Sequence, residues 1–338
     1  MYKALYYICS LLYLPLLSSF TLADRLFKAQ KGDFVVTEQD KHYSLLVLKD
    51  TSPANFVLEE ITVSSDKIHL PGMDWNDWVN LGAPGHSAWI QYEIEKSTLE
   101  LIECYSYSKK GWLYLDESEL FFSTLLSLEL LPVPLNERRK IGVAPTGDEL
   151  DQRPLWTPTL AMNNKKTKLP CEVLKTYWPK DHTALSSCRI TLYFPSKENT
   201  LFPIWIEANN GHFNYNAKGI YFGKNLSSPT PSSVPKRPVV VTQILNKNKD
   251  QKTLAIHAPS YHKTFSLYVF DLLYPEKKIG PIPFSLESTQ KKESHLIHVK
   301  TEDLNNILQK NRRYKWVVKS KEIESSFAES EDFFVWNP

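Results

Sequence analysis

The residues best suited to chemistry lie in one segment, Met73-Asp-Trp-Asn-Asp-Trp-Val-Asn-Leu-Gly-Ala-Pro-Gly-His-Ser-Ala-Trp89. Trp75 and Trp78 stand one helical turn apart and can form an aromatic platform, Trp89 adds a third indole, and His86 offers a donor or an acceptor. Gly82 and Gly85 are two of only 11 glycines in 338 residues, so they mark a backbone turn that other residues tolerate poorly, stiffened by Pro84. On one reading this is a ligand-contact loop, with Trp75, Trp78 and Trp89 as stacking surfaces and Gly82, Gly85 and His86 completing the site. On the other, the indoles are core and the loop is a tight connection into a strand starting at Trp89. Core is the commoner fate of buried aromatics.

Catalytic constellations are weaker. Gly85-His-Ser-Ala-Trp89 half-resembles a nucleophile elbow around Ser87, but the closing glycine is Trp89, and a strand rather than a helix is expected to follow. Asp74 and Asp77, at i and i+3, would share a helical face as a carboxylate pair for glycoside hydrolysis, or be solvated charges on a short helix. His295 and His298 are three apart on an expected strand and therefore face opposite ways, and no CxxC, HExxH or calcium-loop pattern occurs, so no metal is expected. With so few glycines and no phosphate cradle, no cofactor is expected either. Asn136-Glu-Arg-Arg-Lys-Ile-Gly142 is a local basic run, followed by Asp151-Gln-Arg-Pro-Leu-Trp156. It reads as a contact for anionic headgroups or glycans, or as a solvated loop in which Arg153 pairs with Asp151.

The elements that must position these residues divide into parts. The first 23 residues carry one charge, Lys3, then an apolar run from Ala4 to Leu17, and end on Thr21-Leu22-Ala23 with small residues where a signal peptidase reads. Residues 1–23 are expected to be a cleaved signal peptide, the competing reading being a retained anchor. No other stretch approaches 18 apolar residues, so no integral span is expected after cleavage and the mature protein is expected in the periplasm or secreted. With 40 Lys+Arg against 38 Asp+Glu, nucleic acid is not expected as a partner. Composition, with 42% hydrophobic and 23% charged residues, excludes disorder, collagen and coiled coil.

Residues 24–225 read as a strand-rich domain: a meander through Phe34–Glu38, Tyr43–Leu48, Val57–Val63, Trp89–Ile94 and Leu99–Ser106, then one helix. That helix is capped by Asp116 with Glu119 in the capping box, carries Leu120, Leu125, Leu126, Leu128 and Leu131, and stops at Pro132 and Pro134. An irregular proline-rich stretch runs to Pro170, and strands return at Arg189–Phe194, Pro203–Glu207 and Lys218–Phe222. Residues 226–238 hold four prolines and four serines and read as a semi-rigid linker. Residues 239–338 hold short strands about a dozen residues apart, the rhythm of an antiparallel sandwich, with Tyr314 placed to make a corner hydrogen bond. The expected fold class is mainly β: a curved antiparallel sheet packed on a helix, then a β-sandwich.

Export places cysteine in an oxidising compartment. Cys104, Cys171 and Cys188 remain after cleavage, and Cys171 and Cys188 flank a proline-containing turn, so they can pair and leave Cys104 a buried thiol; all three reduced is the alternative.

Three resemblances follow. The first domain resembles the half-barrel of periplasmic lipoprotein carriers, in which a curved sheet cups a helix and holds acyl chains. The last part resembles immunoglobulin or fibronectin type III modules, by pattern only. The series Trp75-x-x-Trp78, Gly82-Ala-Pro-Gly-His86, Glu137-Arg-Arg, Asp151-x-Arg-Pro-Leu-Trp156, Phe202-Pro-Ile-Trp205 and Gly223–Pro229 resembles an uncharacterised family of secreted proteins from intracellular Gram-negative bacteria, and brings no activity with it. Together these point to a non-catalytic exported envelope protein binding an apolar or amphiphilic ligand, lipid-like, or another envelope protein. The rivals are a hydrolase of envelope polymers, using Asp74, Asp77 or His86, and a structural, adhesin-like protein.

Overall fold

The computed structural model describes residues 20–337 apart from 69–73, 114–120, 147–149, 163–164, 212–213, 246–249, 290–292 and 323–326. The chain forms two compact units divided between Pro235 and Lys236.

The first unit opens with β1 (Phe20–Thr21) and α1 (Leu22–Lys28). A meander follows: β2 (Phe34–Gln39), β3 (His42–Thr51), β4 (Asn55–Ser64), helix α2 (Trp75–Asn80), β5 (His86–Glu95), β6 (Leu101–Ser106) and β7 (Gly111–Trp112). After α3 (Phe121–Ser127) come β8 (Glu129–Pro132), a separate hairpin of β9 (Thr159–Met162) and β10 (Lys165–Lys168), then β11 (Cys171–Tyr177), β12 (Arg189–Pro195), β13 (Trp205–Asn209) and β14 (Asn214–Gly223). All except β9 and β10 join one antiparallel twelve-stranded sheet, ordered β1-β8-β11-β12-β13-β14-β2-β3-β4-β5-β6-β7. The β2–β3 hairpin turns through Asp40 and Lys41, both at positive φ, as a two-residue turn requires if its twist is to match the strands.

One face of this sheet contributes to a single core cluster. Phe194, Leu192, Val35, Leu48, Leu58 and Ile94 come from five strands spread along it, and Leu22 and Leu26 of α1 and Leu125 and Leu126 of α3 fill the space between. Side chains so far apart in the strand order can share one cluster only if the sheet curls around the helices. The half-barrel expectation therefore holds for the fold, with its concave face occupied by side chains. The other face is also covered along β2–β5. This explains the unbroken apolar run Leu45-Leu46-Val47-Leu48 of β3, where Leu46 and Leu48 face the helices and Leu45 and Val47 belong to an outer cluster with α2.

The second unit holds β15 (Val240–Leu245), β16 (Gln251–His257), β17 (Phe265–Asp271), β18 (Tyr274–Ile282), β19 (Ser285–Ser288), β20 (Ser294–Lys300), α4 (Thr301–Asn305), β21 (Arg313–Ser320), β22 (Phe327–Glu329) and β23 (Phe334–Val335). One sheet runs β15-β16-β20-β19 and the other β18-β17-β21-β22, with β23 also on β21. This matches the ABED and C′CFG division of immunoglobulin-like sandwiches, packed around Leu254, Ile256, Leu267, Ile297, Trp316 and Val318. Tyr314 makes the expected corner: its buried hydroxyl accepts the Gln309 backbone N–H at 2.9 Å.

Four expectations differ in detail. The helix expected to reach Leu131 ends at Ser127, because the chain is captured by sheet edges: Leu130 pairs with Phe20 and Leu131 with Lys175. Its expected cap, Asp116, with Glu119 and Leu120, lies outside the described residues. Cys171 and Cys188 are not bonded; all three cysteines among the described residues are thiols. The β11–β12 hairpin separates them, since Cys171 pairs with Pro195 at one end and Tyr177 with Arg189 at the other. Six residues of strand put the two about 20 Å apart, far beyond the Cα separation a disulfide spans. Of the proline-serine stretch, Leu226–Pro235 belongs to the first unit and is bonded along it, as described below. Finally, residues 1–19 of the expected signal peptide lie outside the described residues, while its last four form β1 and the start of α1.

Candidate functional site

The tryptophan segment is packed into the outer face of β2–β5. Asp74 caps α2, its carboxylate accepting the Asp77 N–H at 2.8 Å, so it serves the helix terminus. Trp75 and Trp78 are one turn apart as expected, but both are buried, edge to face at 5.7 Å, within a cluster of Val36, Leu45, Ile61 and Val63. The Trp78 indole donates to the Pro84 carbonyl at 3.1 Å, and His86 Nδ1 contacts the Ala83 carbonyl at 2.9 Å. Gly82 and Gly85 both adopt positive φ, and a Cβ on Gly85 would sit 3.1 Å from the Lys67 carbonyl oxygen, so these glycines serve the turn into β5. Trp89 is buried as well, with His86 edge-on at 5.4 Å. Ser87 Oγ donates to the Thr62 carbonyl at 3.1 Å. The structure thus brings Trp75, Trp78, Gly82, Gly85, His86 and Trp89 together, but with the indole faces spent on one another and on the sheet.

Beside them the same face carries a sealed polar network. Glu59 is fully buried, and its Oε1 accepts from the Trp89 indole at 2.9 Å, from Gln91 Nε2 at 3.1 Å and from the Thr230 hydroxyl. Gln91 also donates to the Pro231 carbonyl and accepts from the Tyr107 hydroxyl at 3.0 Å. Lys49, buried, donates to the Ser228 carbonyl and hydroxyl, and Trp112 donates to the Pro235 carbonyl. The stretch from Ser228 to Pro235 is therefore a strap bonded across β3, β4, β5 and β7. Burial, with the Glu59 charge adding to it, pushes the Tyr107 phenol up to about 12.

Further along the same outer face, over β11–β13, the covering is incomplete. A groove of about 360 Å³ has Val133, Val173, Thr191 and Tyr193 in its floor, Arg138, Arg139 and Arg189 as cations, and Glu137 and Glu207 as anions. Cross-strand register builds it: Val173 pairs with Tyr193, Thr191 with Glu207, and Arg189 with Asn209. The basic run after β8 supplies the wall. Glu137 accepts from Lys175 at 2.7 Å and from Arg189 at 3.3 Å, and these bonds hold its carboxyl below the usual range. Arg139 reaches Glu207 at 3.2 Å and lies 4.4 Å from the Trp156 ring centroid. Trp156 in turn meets Tyr193 and Trp205 edge-on at 5.3 Å each, anchoring the base of the excursion from 139 to 156. Arg138 spends its Nε on the Val133 carbonyl at 3.0 Å, and its two terminal nitrogens have no acceptor among the described residues. Burial first, then the Glu207 charge, raises the Tyr193 phenol to about 12, so it faces the groove as a neutral hydroxyl.

The excursion itself is held by a hairpin-like bond pair, Ile141 N–H to the Pro154 carbonyl and Trp156 N–H to the Arg139 carbonyl. A fork from Arg153 to Asp151, both contacts at 2.9 Å, closes it, with Lys140 also on Asp151. The pairing of Arg153 with Asp151 is thus as the solvated-loop reading expects, while the neighbouring arginines line a cavity. Leu131, Leu135, Ile141, Val143 and Leu150 stand exposed around and beyond it.

Thr191, Tyr193 and Arg189 escape the sequence reading, because they alternate along an ordinary strand. Only the Glu137-Arg-Arg run signals the place. Among the described residues, no group of three or more His, Cys, Asp or Glu side chains is arranged to hold a metal ion. His298 is engaged by Glu287 and Thr253, and His295 by Ser288.

Fold and site define a mainly β protein with a curled sheet, an immunoglobulin-like sandwich and a charged surface groove. Residues 44–168 match the family described as CT021 protein, a stretch from β3 to β10 that includes both the tryptophan segment and the arginine run. The chain is also similar to the 2.0 Å structure of the hypothetical protein CT021 from Chlamydia trachomatis, with 20% identity and a TM-score of 0.47, over 66% of this chain and all of that one. No curated protein matches the sequence. The resemblance to an uncharacterised family from an intracellular Gram-negative bacterium is borne out by the family match.

Proposed function

We propose that this is a non-catalytic exported envelope protein that binds an amphiphilic ligand, holding its anionic head in the arginine groove over β11–β13. The observation that carries this reading is Arg138, whose terminal nitrogens lack an acceptor above a floor of Thr191 and Tyr193 hydroxyls. A guanidinium fork of this kind matches phosphate or carboxylate oxygens in pairs. The carboxylates of Glu137 and Glu207, which line the groove, can also accept from ligand hydroxyls, which suits a polyol or sugar-bearing head. The exposed leucines, Ile141 and Val143 give the apolar part somewhere to lie. The packing of α1 and α3 into the sheet interior supports a site on the outer face over one within the half-barrel.

The test is sedimentation with phosphatidylglycerol and with phosphatidylcholine vesicles in about 0.1 M salt, where charges act over about 10 Å. Binding is expected to the anionic vesicles, weakening at least tenfold in the Arg138→Ala, Arg189→Ala double variant. Equal binding by that double variant, or equal binding to both lipids, overturns the reading. Native mass spectrometry of the exported protein, with organic extraction, identifies any ligand carried through purification.

A further inference from the structure

We infer that Phe20–Ala23 belong to the mature protein, and that the export signal is cut upstream of Phe20, at the Ser18–Ser19 pair, instead of after Ala23. This rests on the exported reading above. Four observations carry it. Phe20 and Thr21 form β1, paired with Leu130 and Glu129 at the outer edge of the twelve-stranded sheet. Thr21 caps α1 in a reciprocal capping box: its hydroxyl accepts the Asp24 N–H at 3.3 Å, and the Asp24 carboxylate accepts the Thr21 N–H at 2.6 Å. Leu22 and Ala23 are 0% and 1% exposed, inside the cluster that the whole sheet shares. Arg25, the second residue beyond the sequence-expected cut, lies 3.7 Å from the Phe194 ring centroid and 2.5 Å from Glu172, and so fixes the helix against β11 and β12.

A cut after Ala23 removes the β1 pairing, the cap and two core side chains together. It also leaves a protonated amino group on Asp24, at a helix end whose dipole favours negative charge. Ser18 and Ser19 are the next small residues upstream, and either supplies the small side chain immediately before the cut, with Leu16 or Leu17 two residues further back. Cleavage there leaves β1 and α1 whole. Thr21-Leu22-Ala23 matches a cleavage pattern and a helix start at once, because both favour small residues and Thr ahead of an acid.

The experiment is N-terminal sequencing and intact mass of the protein recovered from an exported fraction. A mature start at Ser19 or Phe20 is expected. A start at Asp24 overturns this inference and leaves export standing, whereas an uncut chain in the cytosolic fraction overturns export and the inference with it. A second measurement needs no processing: chains produced without a leader, one starting at Phe20 and one at Asp24, are melted side by side. The shorter chain is expected to melt on the order of 10 °C lower, from the lost cap and core side chains. Equal melting overturns the inference.

Discussion

The outer face of one sheet is finished in two ways. Over β2–β5 it is closed: α2, the Gly82–Gly85 turn and the strap from Ser228 to Pro235 cover it, and the Trp78 and Trp89 indoles and the Gln91 amide find their acceptors within the chain. Over β11–β13 the cover is a single excursion anchored at Trp156, and guanidinium groups are left facing a groove. The closed stretch has the more unusual composition, and the open one has the chemistry available to a ligand. A cluster of tryptophans, glycines and a histidine therefore marks where this chain folds back on itself. Arginines from a loop, Arg138 and Arg139, and from a strand, Arg189, mark where its own cover is incomplete.

The largest effect expected from breaking this contrast is on the closed side. Glu59→Ala leaves the Trp89 indole, the Gln91 amide and the Thr230 hydroxyl buried without an acceptor, at a cost of about 3–5 kcal/mol. Urea unfolding measures the loss, and limited proteolysis should then find the strap. Glu59→Gln keeps an acceptor and should lose a fraction of that. If Glu59→Ala instead leaves stability intact and abolishes ligand binding, the closed stretch is the site and the contrast is reversed.

On the open side, Arg138→Ala should cost about tenfold or more in binding to anionic vesicles, and under about 0.5 kcal/mol in urea unfolding. Binding should be flat from about pH 8 to 5. Glu137 is held below its ordinary value by Lys175 and Arg189, so its contribution to stability is present above about pH 4.5 and is lost as pH falls through the lowered value. Its protonation frees both cations, and anion binding should rise there.

One tyrosine from each stretch sharpens the comparison. Tyr107 and Tyr193 are both pushed up to about 12, so absorbance at 295 nm should show two phenols ionising after the rest. Each keeps its proton between about pH 10 and 12 while the unfolded chain loses it, so stability should be level below about pH 10 and fall across that window. Glu59→Gln should lower Tyr107 alone. The smallest effect is at the thiols: alkylation after unfolding without reductant should add three labels to the mature chain. In the folded protein Cys171, raised to about 11 by burial, should react slowly at pH 8.

Much of the fold was legible because local chemistry and tertiary structure agreed. The strand meander from Phe34 to Ser106 and the sandwich rhythm with Tyr314 each had one structural solution. The helix was overextended, because Leu130 and Leu131 are good helix residues that a sheet edge happened to recruit. The disulfide failed on strand length, which spacing across a turn does not reveal. For the linker, proline excludes a helix or central strand without saying whether the extended chain lies free or lies on something; Thr230 reaching Glu59 decided that. Burial of the indoles was one of the two readings open at the start. The groove depended on Arg189, Thr191 and Tyr193 meeting a loop some fifty residues earlier, a juxtaposition only the sheet order supplies.

That sheet order also governs when the protein can fold. β2 lies between β3, its neighbour in sequence, and β14, so Glu38 waits for Lys218, 180 positions later, before its outer edge is paired. Two hairpin meanders can form early and locally, yet the seam joining them closes only when nearly all of the first unit is available. Contacts of such long sequence separation make folding slow and leave an open strand edge meanwhile. Under the export proposed above, that delay would be useful: a seam that closes late cannot lock before the chain has crossed.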